Sequence, residues 1–237
     1  MKLNAITDGD GSGQKRVLLR DEAYSTIKEF LLTEESEEFL SERTLASRLN
    51  LGLAPVRSAV ERLRAEGLLT AMMNSGLRLP EITAREILDF YEMRIVIETH
   101  VVASLTGKLS PDQFEQLNEI LNEQESCAET RNTIRYHQLD LDFHTTLAEL
   151  HGNSEMVRTL QQMRDKMYRL SRRLHRLHPE RLSLNAQQHR AIVDAIWEGE
   201  VEKSRNSMQA HLAWGRAFTL DPDGRMGEDW QQMTARG

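Results

Sequence analysis

The stretch LDLDFHTTLAEL, residues 139 to 150, carries an aspartate and a histidine one helical turn apart, Asp140 and His144. Leu139, Phe143, Leu147 and Leu150 recur every three or four residues, so they share the apolar face of a helix. Asp140 and His144 stack beside that stripe. A carboxylate and an imidazole at i and i+4 present one oxygen and one nitrogen to a single point in space. Taking both out of water is costly unless something pairs with them. Two further histidines have comparable settings. His189 lies among Ala186, Ile192, Val193 and Ile196, and His211 lies between Met208 and Leu212 with Trp214 beyond. One aspartate and three histidines from three helices are ligand types that suit zinc, nickel and similar divalent ions. Each member also has a plainer reading. A histidine on an apolar face is commonly a hydrogen-bonded core residue, and an i, i+4 Asp–His pair is an ordinary helix contact. Spacing alone leaves both readings open.

The other ionisable candidates are weaker. Arg94, in YEMRIVIE, can bind a carboxylate through both arms of its guanidinium, or can simply pair with Glu98 at i, i+4. His137, His151 and Asn153 lie near the Asp140–His144 helix surface, as groups supporting a site or as surface and capping residues. His100, His175 and His178, of the eight histidines, follow no pattern, and RLSRRLHRLH reads as a solvated basic face. No carboxylate sits at a spacing that suggests a general base, and no nucleophile motif is present. Both absences count against the alternative reading, a metal-dependent enzyme acting on a small carboxylate with a vestigial winged domain.

Composition sets the frame for these residues. The 237-residue chain is long enough for two ordinary domains, with 39% hydrophobic, 28% charged and 5% aromatic residues. Few aromatics, five prolines and abundant Leu, Glu, Arg and Gln favour helices. The single Cys127 excludes an internal disulfide framework and fits a reducing cytoplasm. No apolar run approaches bilayer-spanning length, and MKLNAITDGDGSGQKR lacks a signal-peptide core, so no membrane partner is expected. A net charge of −7 argues against a broadly cationic nucleic-acid binder but permits a local basic element.

The chain divides near Pro80. Residues 1–16, with Gly9, Gly11 and Gly13, read as a flexible arm, and residues 17–80 as one domain. That domain has helical spacing from Val17 to Leu32, an acidic loop TEESEE, and a short helix ERTLASRL capped by Ser41. The turn NLGL leads to a second helix, APVRSAVERLRAEG, stopped at Gly67. LLTAMMNSGLRLP then gives two short strands around Asn74-Ser75-Gly76. This is the layout of a winged helix-turn-helix. Arg43, Arg48, Arg57, Arg62 and Arg64, against Glu61 alone within that span, are the donors that a helix in the major groove needs.

Residues 81–220 read as six helices with short connections, an antiparallel bundle, followed by a tail at 221–237. Thr83 to Glu86 and Ser110 to Gln113 are capping boxes, and Asn153 or Ser154 caps the fourth helix. Gly107, Gly152 and Gly199 mark helix ends, and the last two helices read as NAQQHRAIVDAIWEG and EVEKSRNSMQAHLAWGRAFTL. The fold class is thus mainly α.

SERTLASRLNLGLAPVRSAVERLRAEGLL followed by NSGLRL resembles the DNA-binding domain of GntR-family bacterial transcription regulators. That resemblance implies DNA contacts from Arg43, of the ER-x-LA segment, and Arg57, of the VR pair, with Gly76 at the wing tip. The chain departs from the family pattern in two places. EEFLSE replaces the usual Pro-Gly before the second helix, and Gly52-Leu53 stands where Ser or Thr followed by Arg opens the recognition helix. Arg48 is the candidate to compensate for that arginine.

The helical half resembles the FCD effector domain of the FadR subgroup. The matching segments are YEMRIVIE at 91–98, DLDFHTTLAELHGN at 140–153, QQHRAIVDAIWEGE at 187–200 and MQAHL at 208–212. The resemblance implies a divalent metal held by Asp140, His144, His189 and His211. Zinc is the first expectation, and nickel, manganese and iron are permitted. It further implies a homodimer acting on operator DNA in the cytoplasm, most often as a repressor. A small organic acid would bind beside the metal, with Arg94 as its second anchor.

Overall fold

The computed structural model describes residues 11–33, 40–72 and 76–221, the side chains of 11–18, 33 and 171–177 apart. Two compact units meet in sequence at Glu81–Ile82. In the first, α1 (Gly11–Thr33), α2 (Glu42–Arg48) and α3 (Leu53–Ala65) precede the strands β1 (Thr70–Met72) and β2 (Gly76–Arg78). Helical backbone begins at Gly11, so residues 11–16 belong to α1 and not to an arm. Residues 1–10, the acidic loop and the Asn74-Ser75 part of the wing turn lie outside the described residues.

Apolar spacing explains this unit. Ala23, Ile27 and Leu31 of α1 meet Leu45 of α2 and Val56, Val60 and Leu63 of α3 in one buried core. Ser41 Oγ accepts from the Thr44 amide and starts α2. The strands are antiparallel in the register Thr70–Arg78, Ala71–Leu77 and Met72–Gly76. Leu40 adds a short third rung, exchanging backbone hydrogen bonds of 2.8 and 2.6 Å with Leu77. Gly76 has φ +99°, a backbone shape that a side chain would strain.

The second unit holds α4 (Ala84–Leu105), α5 (Pro111–Thr130), α6 (Thr133–His151), α7 (Ser154–Leu177), α8 (Leu182–Trp197) and α9 (Val201–Leu220). The long helix α4 packs on α9, α5 on α6 and α8, α6 on α7, and α8 on α9. Tyr136, Phe143, Leu147, Ile192, Ile196 and Met208 are among the fully buried side chains between them. Both capping boxes form, at Thr83–Glu86 and Ser110–Gln113. Asn153 caps α7, its Oδ1 accepting from the amides of Glu155 and Met156. Thr83→Ala should cost about 1 kcal/mol, read as a lowered midpoint in urea with an unchanged slope.

Helix α8 starts at Leu182, three residues before Asn185, behind a 3-10 turn at Pro179–Arg181. Tertiary contact explains the early start. Tyr136 Oη donates to Asn185 Oδ1 at 2.7 Å and lies 3.0 Å from Leu182 O, holding Asn185 inside as a buried helical residue. Among the described residues no helix is long and apolar enough to cross a membrane.

Candidate metal centre and nucleic-acid interface

Three helices deliver the histidines, α6 with His144, α8 with His189 and α9 with His211, and all three side chains are buried. One ligand nitrogen from each lies within 4.8 Å of the others. His189 Nε2 is 3.3 Å from His211 Nε2 and 3.7 Å from Asp140 Oδ1. The structure therefore gathers the four residues picked from spacing, with the histidines forming the tight group.

The outward nitrogens decide what the inward ones can do. His144 Nδ1 meets Glu98 Oε2 at 2.5 Å, His189 Nδ1 meets Gln124 Oε1 at 2.9 Å, and His211 Nδ1 meets Gln188 Oε1 at 3.0 Å. Each partner is an acceptor oxygen, so each Nδ1 is the protonated donor. The opposite nitrogen then carries a lone pair, and the lone pairs converge beside the Asp140 carboxylate. Like-polarity lone pairs at 3.3 Å repel unless a cation or shared proton lies between them. Acceptor oxygens behind the imidazoles are the arrangement that orients histidines toward a metal. The donor set fits a divalent ion.

Glu98 is the group that spacing did not assign to this centre. Its Oε1 accepts from Arg94 Nε at 2.6 Å while its Oε2 takes His144, so one buried carboxylate joins Arg94 to a histidine of the triad. Burial alone would push the Glu98 carboxyl up. Arg94 and His144 beside it hold it down at about 2. Arg94 thus makes the ion pair that its spacing allowed, yet its buried Nη2 has no hydrogen-bond partner among the described residues.

A cavity of about 40 Å³ adjoins the triad. Arg94, Asp140, His144 and His211 border it, as do Tyr91, Asn185, Trp214 and Phe218. Gly215 is part of the same lining, and a Cβ there would stand 3.1 Å from Tyr91 Oη. A glycine in mid-helix is otherwise unfavourable, so this close approach accounts for it. Gln124 had a readable signal, a polar residue in the apolar stripe of Leu117, Leu121 and Ala128. Gln188 and Trp214 had none apart from neighbouring a histidine.

Other candidates fall elsewhere. His137 is buried beside the Tyr168 ring, which corrects its surface or capping reading. His151 stands against His100 with ring centroids 5.4 Å apart. His175 and most of RLSRRLHRLH lie outside the described side chains, and His178 meets Glu180 and Phe218.

In the first unit, Arg43 and Arg48 of α2 and Arg57 of α3 are exposed. Arg57 Nε pairs with Glu42 Oε2 at 3.0 Å, an acidic partner one residue before the basic span 43–64. Arg62 is drawn into the unit's own packing, over the Tyr24 ring at 3.8 Å and onto Glu66 at 3.1 Å. Gly52 is the N-cap of α3 and supplies no side-chain hydrogen bond to it.

The FCD domain family matches residues 89–213, a span that contains Arg94, Glu98 and the whole histidine centre. The chain is similar to the Nta operon transcriptional regulator of Aminobacter aminovorans, 28% identical over 130 residues. That match covers 55% of this chain and 61% of the relative, less than two thirds of its length. It is also 26% identical over 198 residues to the HTH-type transcriptional repressor NanR of Cronobacter sakazakii, covering 75% of each. Among solved structures, a GntR transcriptional regulator from Rhodococcus sp. RHA1 superposes with a TM-score of 0.71 at 20% identity, covering 85% of this chain and 97% of that one. At that identity the likeness is one of fold. The relatives are transcription regulators, which sets the enzyme alternative aside.

Proposed function

The chain belongs to the FCD-domain regulators of the GntR family, and from that footing we propose that a small carboxylate, bound beside a divalent metal in the helical unit, controls its grip on operator DNA. The family membership makes it a DNA-binding transcription regulator. The observation that carries the metal reading is the set of three Nδ1–acceptor hydrogen bonds, which leaves three imidazole lone pairs converging beside Asp140. His144, His189, His211 and Asp140 hold the ion, and zinc suits this nitrogen and oxygen set. When bound, the metal would supply a Lewis-acidic centre, and an ion larger than the usual four-coordinate zinc, or zinc expanded beyond four ligands, would accept a carboxylate oxygen in addition to these residues.

The chain's own residues perform the rest. Arg94 turns its Nη2 to the carboxylate, satisfying a donor that is otherwise orphaned. Glu98 holds Arg94 and His144 in one register, so ligand and metal are sensed by the same helix. That helix, α4, is the first element after the winged unit in the chain. A shift in α4 on ligand binding alters the presentation of the winged unit, and repression with release by ligand is the regulatory sense we favour. The protein acts as a homodimer on an inverted-repeat operator, one winged unit per half-site.

Because the coupling is thermodynamic, operator DNA must change effector affinity by the factor with which effector changes DNA affinity. The test is retardation of a fragment from the protein's own promoter, titrated with carboxylates before and after chelation. We expect a carboxylate response that vanishes on chelation. A response indifferent to the chelator would remove the metal from the mechanism.

Arg43, Arg48 and Arg57 supply the DNA contacts, with Gly76 letting the wing backbone approach the duplex. Arg57→Ala should weaken operator binding by about 1–3 kcal/mol and relax specificity at one base position. Glu42→Gln should act oppositely. Freeing Arg57 from an exposed pair costs about 0.2–1 kcal/mol, so its removal should tighten binding up to about fivefold. Equal operator affinity in both variants would take Arg57 out of the interface.

A further inference from the structure

The cavity beside the triad runs along α9. His211, Trp214 and Phe218 all border it, at i, i+3 and i+7 on one helix face, so the lining extends about 10 Å from the first to the last. Its beginning is polar, with His144, Asp140 and Arg94, whose buried Nη2 has no hydrogen-bond partner among the described residues. Its end is aromatic. The rings of Trp214 and Phe218 stack with centroids 5.7 Å and planes 21° apart.

The cation beside these rings does not face the cavity. Arg181 lies over Phe218 with its guanidinium carbon 3.5 Å from the ring centroid, and it is not among the groups lining the cavity. Its place is to fix the ring through a cation–π contact. Two polar atoms of the same lining, Tyr91 Oη and Asn185 Oδ1, are already hydrogen-bonded to Thr219 and Tyr136, so the aromatic end offers π surface and little further hydrogen bonding.

We propose that the effector is an aryl carboxylate, its carboxylate at Arg94 and the triad and its ring against Trp214 and Phe218. This rests on the carboxylate-effector reading above and names the class of ligand. A polyhydroxy acid would strand hydroxyls against the two rings. A dicarboxylate would set its second charge where no further cation among the described residues lines the cavity. A flat apolar ring buries its surface there and gains the offset stacking that aromatic pairs prefer. The cavity has room for only a few water molecules. Trp214, the half-exposed ring of the pair, is the side chain that yields to admit the ligand.

The test is calorimetry on the zinc-loaded full-length protein with benzoate, acetate, gluconate and succinate, repeated on Trp214→Leu and Phe218→Leu. We expect benzoate to bind at least about tenfold tighter than the other three, with the benzoate-to-acetate ratio falling toward one in both variants. If acetate binds and benzoate is no tighter, or gluconate or succinate exceeds benzoate, the aryl assignment is overturned while the carboxylate site stands. A ratio that survives both substitutions overturns it as well. If none of the four acids binds, the carboxylate reading falls and the aryl assignment falls with it.

Discussion

His189→Ala is expected to reduce bound metal from about one ion per chain to under about a tenth, because it removes the residue that links the other ligands. His189 Nε2 lies 3.3 Å from His211 Nε2 and 3.7 Å from Asp140 Oδ1, and its ring is held by stacking on Phe143 with centroids 4.0 Å apart. The clean readout is the response to chelator. Free zinc at one hundred times its dissociation constant stabilises the metal-binding fold by about 2.7 kcal/mol, and chelation should abolish that increment in the unaltered protein. The variant should melt at the same temperature with and without chelator. Gln124→Ala should show an intermediate result, a loss of about 10–100-fold in metal affinity, since it only removes the acceptor behind His189. Unaltered protein that takes up no zinc after incubation would identify the triad as an internal polar network.

Arg94→Met is expected to destabilise the helical unit by about 3–5 kcal/mol, measured by urea denaturation. Arg94 and Glu98 are both buried, at 5% and 2% exposure, so deleting the cation leaves a carboxylate in a low-dielectric interior with His144 as its remaining partner. An exposed i, i+4 pair would be worth far less, so burial decides the magnitude. Pairing the change with Glu98→Gln should recover most of the lost stability, because no buried charge is then stranded. The same double variant should still lose acetate binding, since its stability is recovered without a guanidinium to meet the carboxylate. Recovery of both stability and acetate affinity would assign Arg94 a structural role alone.

These expectations show which features were readable along the chain. The six bundle helices follow from their own signals, the Thr83 and Ser110 capping boxes, Pro111 in a first turn and Gly152 at a C-cap, because capping is a contact between neighbours in sequence. The winged layout is legible for the same reason. The choice of Asp140, His144, His189 and His211 rested on residue type, periodicity and a family resemblance, and the folded chain brings the histidines within reach of one ion. Where local signals misled, a distant partner was responsible. The sequence reading begins the helix at Asn185, but Tyr136, 49 residues earlier, holds that residue inside α8. Glu61 is the one acid in the 43–64 span, yet the fold brings Glu42 to Arg57 from across the turn.

The sequence by itself determined which residues can ligate a metal and on which helices they ride, since helical periodicity and side-chain chemistry are local properties. Only the tertiary structure decided which nitrogen of each histidine faces inward. That depends on acceptors delivered by other segments, Glu98 from 46 residues away, Gln124 from 65 and Gln188 from 23. It also decided that Arg94 pairs with Glu98 through Nε while its buried Nη2 has no hydrogen-bond partner among the described residues, and that Trp214 and Phe218 border the cavity beside it. Tautomer, burial and enclosure arise from contacts between helices, and no single helix encodes them.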